Sequence, residues 1–252
     1  MKPAFIQTSN TARFLDAVDA LERRGADEAC LMVVEGEPGQ GKSATAKWWS
    51  VQNGCVYIRA KRKWSGGWFL RELLGELRVM PEHSFERMFG QAVKAIGLRM
   101  TEARASGATW GIVIDEIDHV SKDSKILETL RDLTDLTEVP MIMVGMGRVK
   151  QALTRFPQVA RRVAKYCEFE SLPLDDCRAL VQGRCEVPVD EALVRLLHRV
   201  SAGFSCEILE GIATIERAGK RLGGRAVTVQ DLDGQPIINE RSTGRAIIVR
   251  TA

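Results

Sequence analysis

No run of apolar residues in this 252-residue chain approaches the ~20 that a membrane-spanning helix needs. The first ten residues, MKPAFIQTSN, lack the basic and apolar regions of a secretory leader. Both absences predict a protein that stays in the cytoplasm. Paired cysteines are missing too: Cys30, Cys55, Cys167, Cys177, Cys185 and Cys206 form no CxxC and no Cys/His spacing. They read as reduced structural thiols, not metal ligands. No internal repeat or low-complexity segment occurs. An excess of one charge sign is nearly absent as well, with 36 Lys and Arg against 33 Asp and Glu. A net charge of +3 is too small to point by itself to a nucleic-acid partner, so the distribution of charge has to carry that question.

What is present is enough for a packed core. An apolar fraction of 45% at this length suits one α/β core with a small helical appendage, but not two full domains. Residues 11–24 place Phe14, Leu15, Val18 and Leu21 at helical spacing. The run CLMVVE at 30–35 reads as a strand buried on both faces, followed by a helix at 42–52. Further strands are expected at 54–60, 110–114, 141–144 and 166–172, with helices around Trp68 to Leu77, at 84–105 and at 123–136. This alternation predicts an α/β fold, a parallel sheet covered on both sides by helices. From Leu174 onward only helices are expected, at 175–184, 190–201 and 205–222. The predicted organisation is a core over 1–173, an all-helical lid over 174–224, and a tail over 225–252 that mixes short β-like runs with turn residues.

Residues 36–43, GEPGQGKS, fit the phosphate-loop pattern GxxxxGK[ST] between an expected strand and an expected helix. Gly36, Gly39 and Gly41 let backbone amides curl around phosphate oxygens, with Glu37, Pro38, Gln40 and Ala44 completing the contact segment. The new helix adds its positive end, Lys42 reaches the terminal phosphates, and the Ser43 hydroxyl is placed to ligand magnesium. Downstream, GIVIDEID at 111–118 delivers two adjacent carboxylates at the carboxyl end of a strand, where open α/β sheets place ligands. Asp115 is expected to help hold magnesium, and Glu116 to orient or deprotonate the attacking water. Arg161 and Arg162 are the candidates for a cation presented to the phosphates of a neighbouring subunit, with solvated helix ends as the plain alternative.

With TSNTARF, GEPGQGKS, GIVIDEID, VPMIMVG, the ARR segment and GFSCEIL in order, the chain resembles the AAA+ ATPases, in particular the transposition group that includes the bacteriophage Mu B protein and the target-selecting ATPases of bacterial transposons. The resemblance spans roughly residues 5–222. It implies ATP and magnesium as cofactors bound at subunit interfaces, and subunits that assemble into helical filaments on double-stranded DNA and present the coated DNA to a transposase. It also implies a phage- or transposon-encoded protein in a bacterial host. Lys42 and Ser43 carry over as phosphate and magnesium contacts, Asp115 and Glu116 as the Walker B pair, and Arg161 or Arg162 as a finger acting in trans. Where the group's relatives place a polar sensor after the fourth strand, this chain has Gly145, Met146 and Gly147, with Arg148 the nearest polar side chain. Where they place an arginine on the lid helix, it has Glu207, and these two departures predict slow hydrolysis that depends on DNA or a partner.

DNA contact is expected from Arg59, Lys61, Arg62 and Lys63, interleaved with Tyr57, Trp64 and Trp68. The plain alternative is a solvated loop whose tryptophans pack on the core. A second basic cluster, Lys220, Arg221 and Arg225, reads as complementing the end of a helix. Two other functions use the same motifs: a helicase loader or replication initiator, and a nucleotide-gated interaction module that scarcely hydrolyses.

Overall fold

Strands that must be apolar on both faces need helices on both faces, and the chain supplies them. In a computed structural model that describes residues 1–251, β1 (Leu31–Glu35), β2 (Val56–Arg59), β3 (Ile112–Asp115), β4 (Met141–Val144) and β5 (Val163–Glu168) pair in parallel in the order β2-β3-β4-β1-β5. Successive side chains of a strand face opposite ways. Leu31, Val33, Ile112, Ile114, Met141 and Met143 therefore enter one core. Met32, Val34, Val113, Ile142 and Val144 enter the other.

The first core is closed by α3 (Gly66–Glu76), α4 (Phe85–Ser106) and α5 (Ser124–Thr137) through Phe69, Leu73, Met88, Ile96, Leu127 and Leu130. The second is closed by α1 (Ser9–Glu22) and α2 (Lys42–Gln52) through Phe14, Val18, Leu21, Ala46 and Trp49. Local chemistry sets the helix ends. Ser65, Ser84 and Asp123 accept from the amides of Trp68, Arg87 and Ile126 as N-caps. Gly107 ends α4 in the left-handed conformation.

Most expected elements form within a few residues of their sequence positions. β5 departs furthest, starting at Val163 instead of 166, because Val163 is already in register with Leu31 of β1. Its side chains are mostly half-buried or exposed, as on an edge strand, and the exposed Lys165 interrupts the apolar run that would mark its start. The short helices α6 (Val149–Leu153) and α7 (Pro157–Ala160) have too few residues for periodicity to reveal.

The described residues pack as two units: Arg13–Glu37 with Lys42–Phe169, and Met1–Ala12 with Pro38–Gly41 and the chain from Glu170 onward. The second unit holds α8 (Leu174–Arg184), α9 (Glu191–Ser201) and α10 (Ser205–Gly219), and an antiparallel hairpin of β6 (Pro236–Asn239) and β7 (Ala246–Ile248). Leu193, Leu197, Ile208 and Ile212 of the helices share one core with Val227, Leu232, Ile237, Ile238 and Val249 of the tail. Asp231 orders the turn into the hairpin by accepting from the amide and hydroxyl of Thr228, both at 2.9 Å, and from Arg225. The charges of Lys220 and Arg225 are thus spent locally, Lys220 on Glu186 and Glu216.

The six cysteines are free. Burial raises the thiols of Cys55 and Cys167 to about 11 and that of Cys177 to about 12, which keeps them protonated. No helix among the described residues is long and apolar enough to cross a membrane.

Candidate functional site

The loop after β1 turns on two glycines, Gly39 and Gly41, whose φ angles of +87° and +92° are strained for any residue with a Cβ. α2 then begins at Lys42, so the amides of its first turn have no partner within the helix and form a natural anion site. The Lys42 side chain is nearly buried, and its Nζ donates to the carbonyls of Gly36 and Glu37, both at 2.8 Å. Burial lowers the Lys42 pKa, with the charges of Asp118, Asp115 and Glu37 opposing the shift. An ammonium held only by two carbonyl dipoles exchanges them readily for a phosphate. Ser43 and Ala44 are exposed at the helix start. Pro38–Gly41 pack with the first turn of α10: the Gly39 carbonyl accepts from the Ser205 hydroxyl at 2.7 Å and the Cys206 amide at 3.1 Å, and Gln40 is buried.

Pairing of β2 with β3 sets Arg59 opposite Asp115 at the carboxyl ends of both strands. Asp115 is 3% exposed and accepts from the Tyr57 hydroxyl at 2.5 Å and from the Glu116 amide at 2.9 Å. Burial, and then the Asp115 carboxylate, push the Tyr57 phenol well above its ordinary value, so it remains a donor that orients the acid. Glu116 adopts a left-handed conformation, φ +54°, which costs of order 1–2 kcal/mol for a residue with a side chain. Its carboxylate is bonded to Arg59 and lies 3.3 Å from His119 Nε2. The hydrogen bond from Arg59 is the main reason that Glu116 ionises below the usual glutamate range. The stabilisation this gives is complete above the ordinary glutamate pKa and is lost as pH falls through the lowered one.

The polar group beyond β4 comes from another source than the expected sensor side chain. Asp118 Oδ2 accepts from the Met146 amide at 2.7 Å. A Cβ at Gly145 would lie 2.7 Å from that same oxygen, so glycine is what lets the Asp118 carboxylate close on the strand end. Sequence reading assigned Asp118 and Tyr57 no role at this site, although GIVIDEID contains the first and the second sits one strand away in register.

The two arginine candidates differ. Arg162 is forked onto Asp135, at 2.7 and 3.2 Å. Arg161, at the end of α7, is exposed and has no side-chain ion pair among the described residues. Trp64 of the basic loop is buried edge-on against Phe69, and the half-buried Tyr57 of β2 turns its hydroxyl to Asp115. Lys61 pairs with Glu72 and lies 5.2 Å over the Trp68 ring, whereas Arg62 and Lys63 are exposed.

This arrangement fits a magnesium nucleotide. Among the described residues no group of three or more His, Cys, Asp or Glu forms a metal site. One carboxylate, Asp115, and one exposed hydroxyl, Ser43, are what magnesium takes from a protein when phosphates and water supply the rest. The AAA domain family model matches residues 24–153, which is 130 of the 252 residues and includes β1 to β4 and both motifs. The chain belongs to the AAA domain family. No curated protein matches it.

The AAA fold here is similar to three solved structures. One is the Aeropyrum pernix Orc1 protein in complex with DNA, with TM-score 0.59, 16% identity, and 88% of this chain and 63% of that one covered. Another is Cdc6p from Pyrobaculum aerophilum, with TM-score 0.66, 14% identity, 92% and 68% covered. The third is RuvB from Thermotoga maritima, with TM-score 0.58, 14% identity, 90% and 68% covered. The chain therefore spans about two thirds of the length of these proteins, and at such identities the likeness is one of AAA fold.

Proposed function

We propose that this protein binds magnesium ATP at residues 36–44, hydrolyses it slowly, and uses the bound state to assemble along duplex DNA that it hands to a transposase. Lys42 and the α2 amides hold the phosphates, and Ser43 and Asp115 hold magnesium. Glu116 activates water, and Arg161 of a neighbouring copy supplies the stabilising cation, since Arg162 is committed to Asp135.

The observation that carries the coupling of ATP to DNA is the Arg59–Glu116 pair. Arg59 opens the basic loop and also ties up the carboxylate needed for hydrolysis. A DNA phosphate that drew Arg59 away would release Glu116, giving weak basal turnover and stimulation by DNA.

A second reading, replication initiation or helicase loading, is favoured by the fold likeness to Orc1 in complex with DNA and to Cdc6p. Electron microscopy of the protein with duplex DNA in ATP or ADP separates the two. Continuous filaments in ATP alone support assembly for transposition, which stimulation of strand transfer on the coated DNA then completes. Discrete rings, with binding to a replicative helicase, overturn it in favour of the second. A nucleotide-gated module without turnover is excluded if phosphate is released.

A further inference from the structure

The tail sets a charged clamp on the phosphate loop. Immediately after β6, a turn closed by the Glu240 amide on the Arg245 carbonyl and the Gly244 amide on the Glu240 carbonyl, both at 2.8 Å, presents Arg241. Its guanidinium donates from Nη2 to the Pro38 carbonyl at 2.9 Å and from Nη1 to Glu207 Oε1 at 2.8 Å, and it stacks over Phe204 at 4.0 Å. A Cβ on Gly39 would lie 2.7 Å from that Nη1 and 2.5 Å from Cys206 Sγ, so the loop backbone is pressed directly on the cluster.

Glu207 gives the clamp a purpose. Its side chain is only 14% exposed, and it stands in the first turn of α10 against the loop that is to receive an anionic ligand. Left unpaired there, a carboxylate is costly to desolvate and repels phosphate. Arg241 is the cation that meets it, and a planar fork held on three sides keeps the Pro38–Gly39 backbone in one place.

We propose that Arg241 is a positioning residue of the nucleotide site, supplied by the tail hairpin: it anchors the phosphate loop through the Pro38 carbonyl and cancels the charge of Glu207. The inference rests on residues 36–44 being the nucleotide site. Because Arg241 acts through the loop backbone, it supports ATP and ADP alike.

The test is equilibrium binding of fluorescent ATP and ADP analogues, with magnesium, to the full chain. Arg241→Ala weakens both by about tenfold, the scale of a lost charged hydrogen bond. Adding Glu207→Gln restores part of that loss, because no charge then remains to be cancelled although the bond to the Pro38 carbonyl stays lost; a merely structural arginine would show no such rescue. Arg241→Lys is intermediate, keeping the charge but not the fork. The proposal is overturned if Arg241→Ala binds like the parent, if the double variant is no better than Arg241→Ala, or if ATP affinity falls while ADP affinity does not. A parent chain that binds neither nucleotide overturns the phosphate-loop reading as well, whereas a binding parent with an unchanged Arg241→Ala overturns this inference alone.

Discussion

Two loops leave the carboxyl ends of parallel strands in the first unit, and they hold their cations differently. After β1, Lys42 is buried and bonded to two backbone carbonyls. At the end of β2 and just beyond it, Arg59 and Lys61 are exposed and bonded to carboxylates, Glu116 and Glu72. A cation on carbonyl dipoles keeps its full charge for an incoming phosphate, whereas a cation on a carboxylate offers charge only if the acid lets go. The first loop is thus built to bind at once. The second is built to bind at the cost of rearranging its acids, and one of those acids is the residue expected to activate water.

Substitutions that sharpen this contrast rank by how completely each cation is needed. Lys42→Ala weakens ATP binding by about a hundredfold or more in equilibrium titration, since nothing else nearby replaces a buried charged donor. Replacing Lys61, Arg62 and Lys63 by glutamate leaves that affinity unchanged. It lowers the slope of log DNA affinity against log salt by about 3, at roughly 0.9 for each DNA phosphate that the protein no longer neutralises. An unchanged slope would show that the second loop does not track DNA.

Arg59→Ala frees Glu116, so basal phosphate release rises a few-fold, about the worth of an exposed pair, and DNA adds little further. The same change removes the main influence holding the Glu116 carboxyl low, so the acid limb of the pH–rate profile moves to higher pH. An acid limb that stays put contradicts the role given to that pair. The smallest effect is that of Glu72→Gln, which releases Lys61 and tightens DNA binding by about twofold to fivefold.

The sequence was most informative where one local pattern implies one geometry. Glycines flanking a lysine between a buried strand and a helix leave little choice of backbone, and the helix start at Lys42 follows. The same holds for the apolar strand that ends at Asp115, buried on both faces with its acid at the tip. Relationships between distant residues stayed hidden. Arg59 and Glu116 are brought together by register across β2 and β3, and the Tyr57 hydroxyl reaches Asp115 by the same pairing. Trp64 shares its stretch with the exposed Trp68, yet only packing decides that the first is core and the second surface. The tail beyond Arg225 gave no periodic signal because its strands have four and three residues, and its buried side chains find their partners on the lid helices.

The role of Glu116 in water activation is decided by phosphate release from the parent and Glu116→Gln proteins with magnesium ATP and duplex DNA, each normalised to bound nucleotide. If Glu116 activates water, the two proteins bind ATP equally, DNA stimulates release by the parent, and release by the variant falls to background with the assembled state trapped on DNA. Equal release by the two proteins would contradict that role.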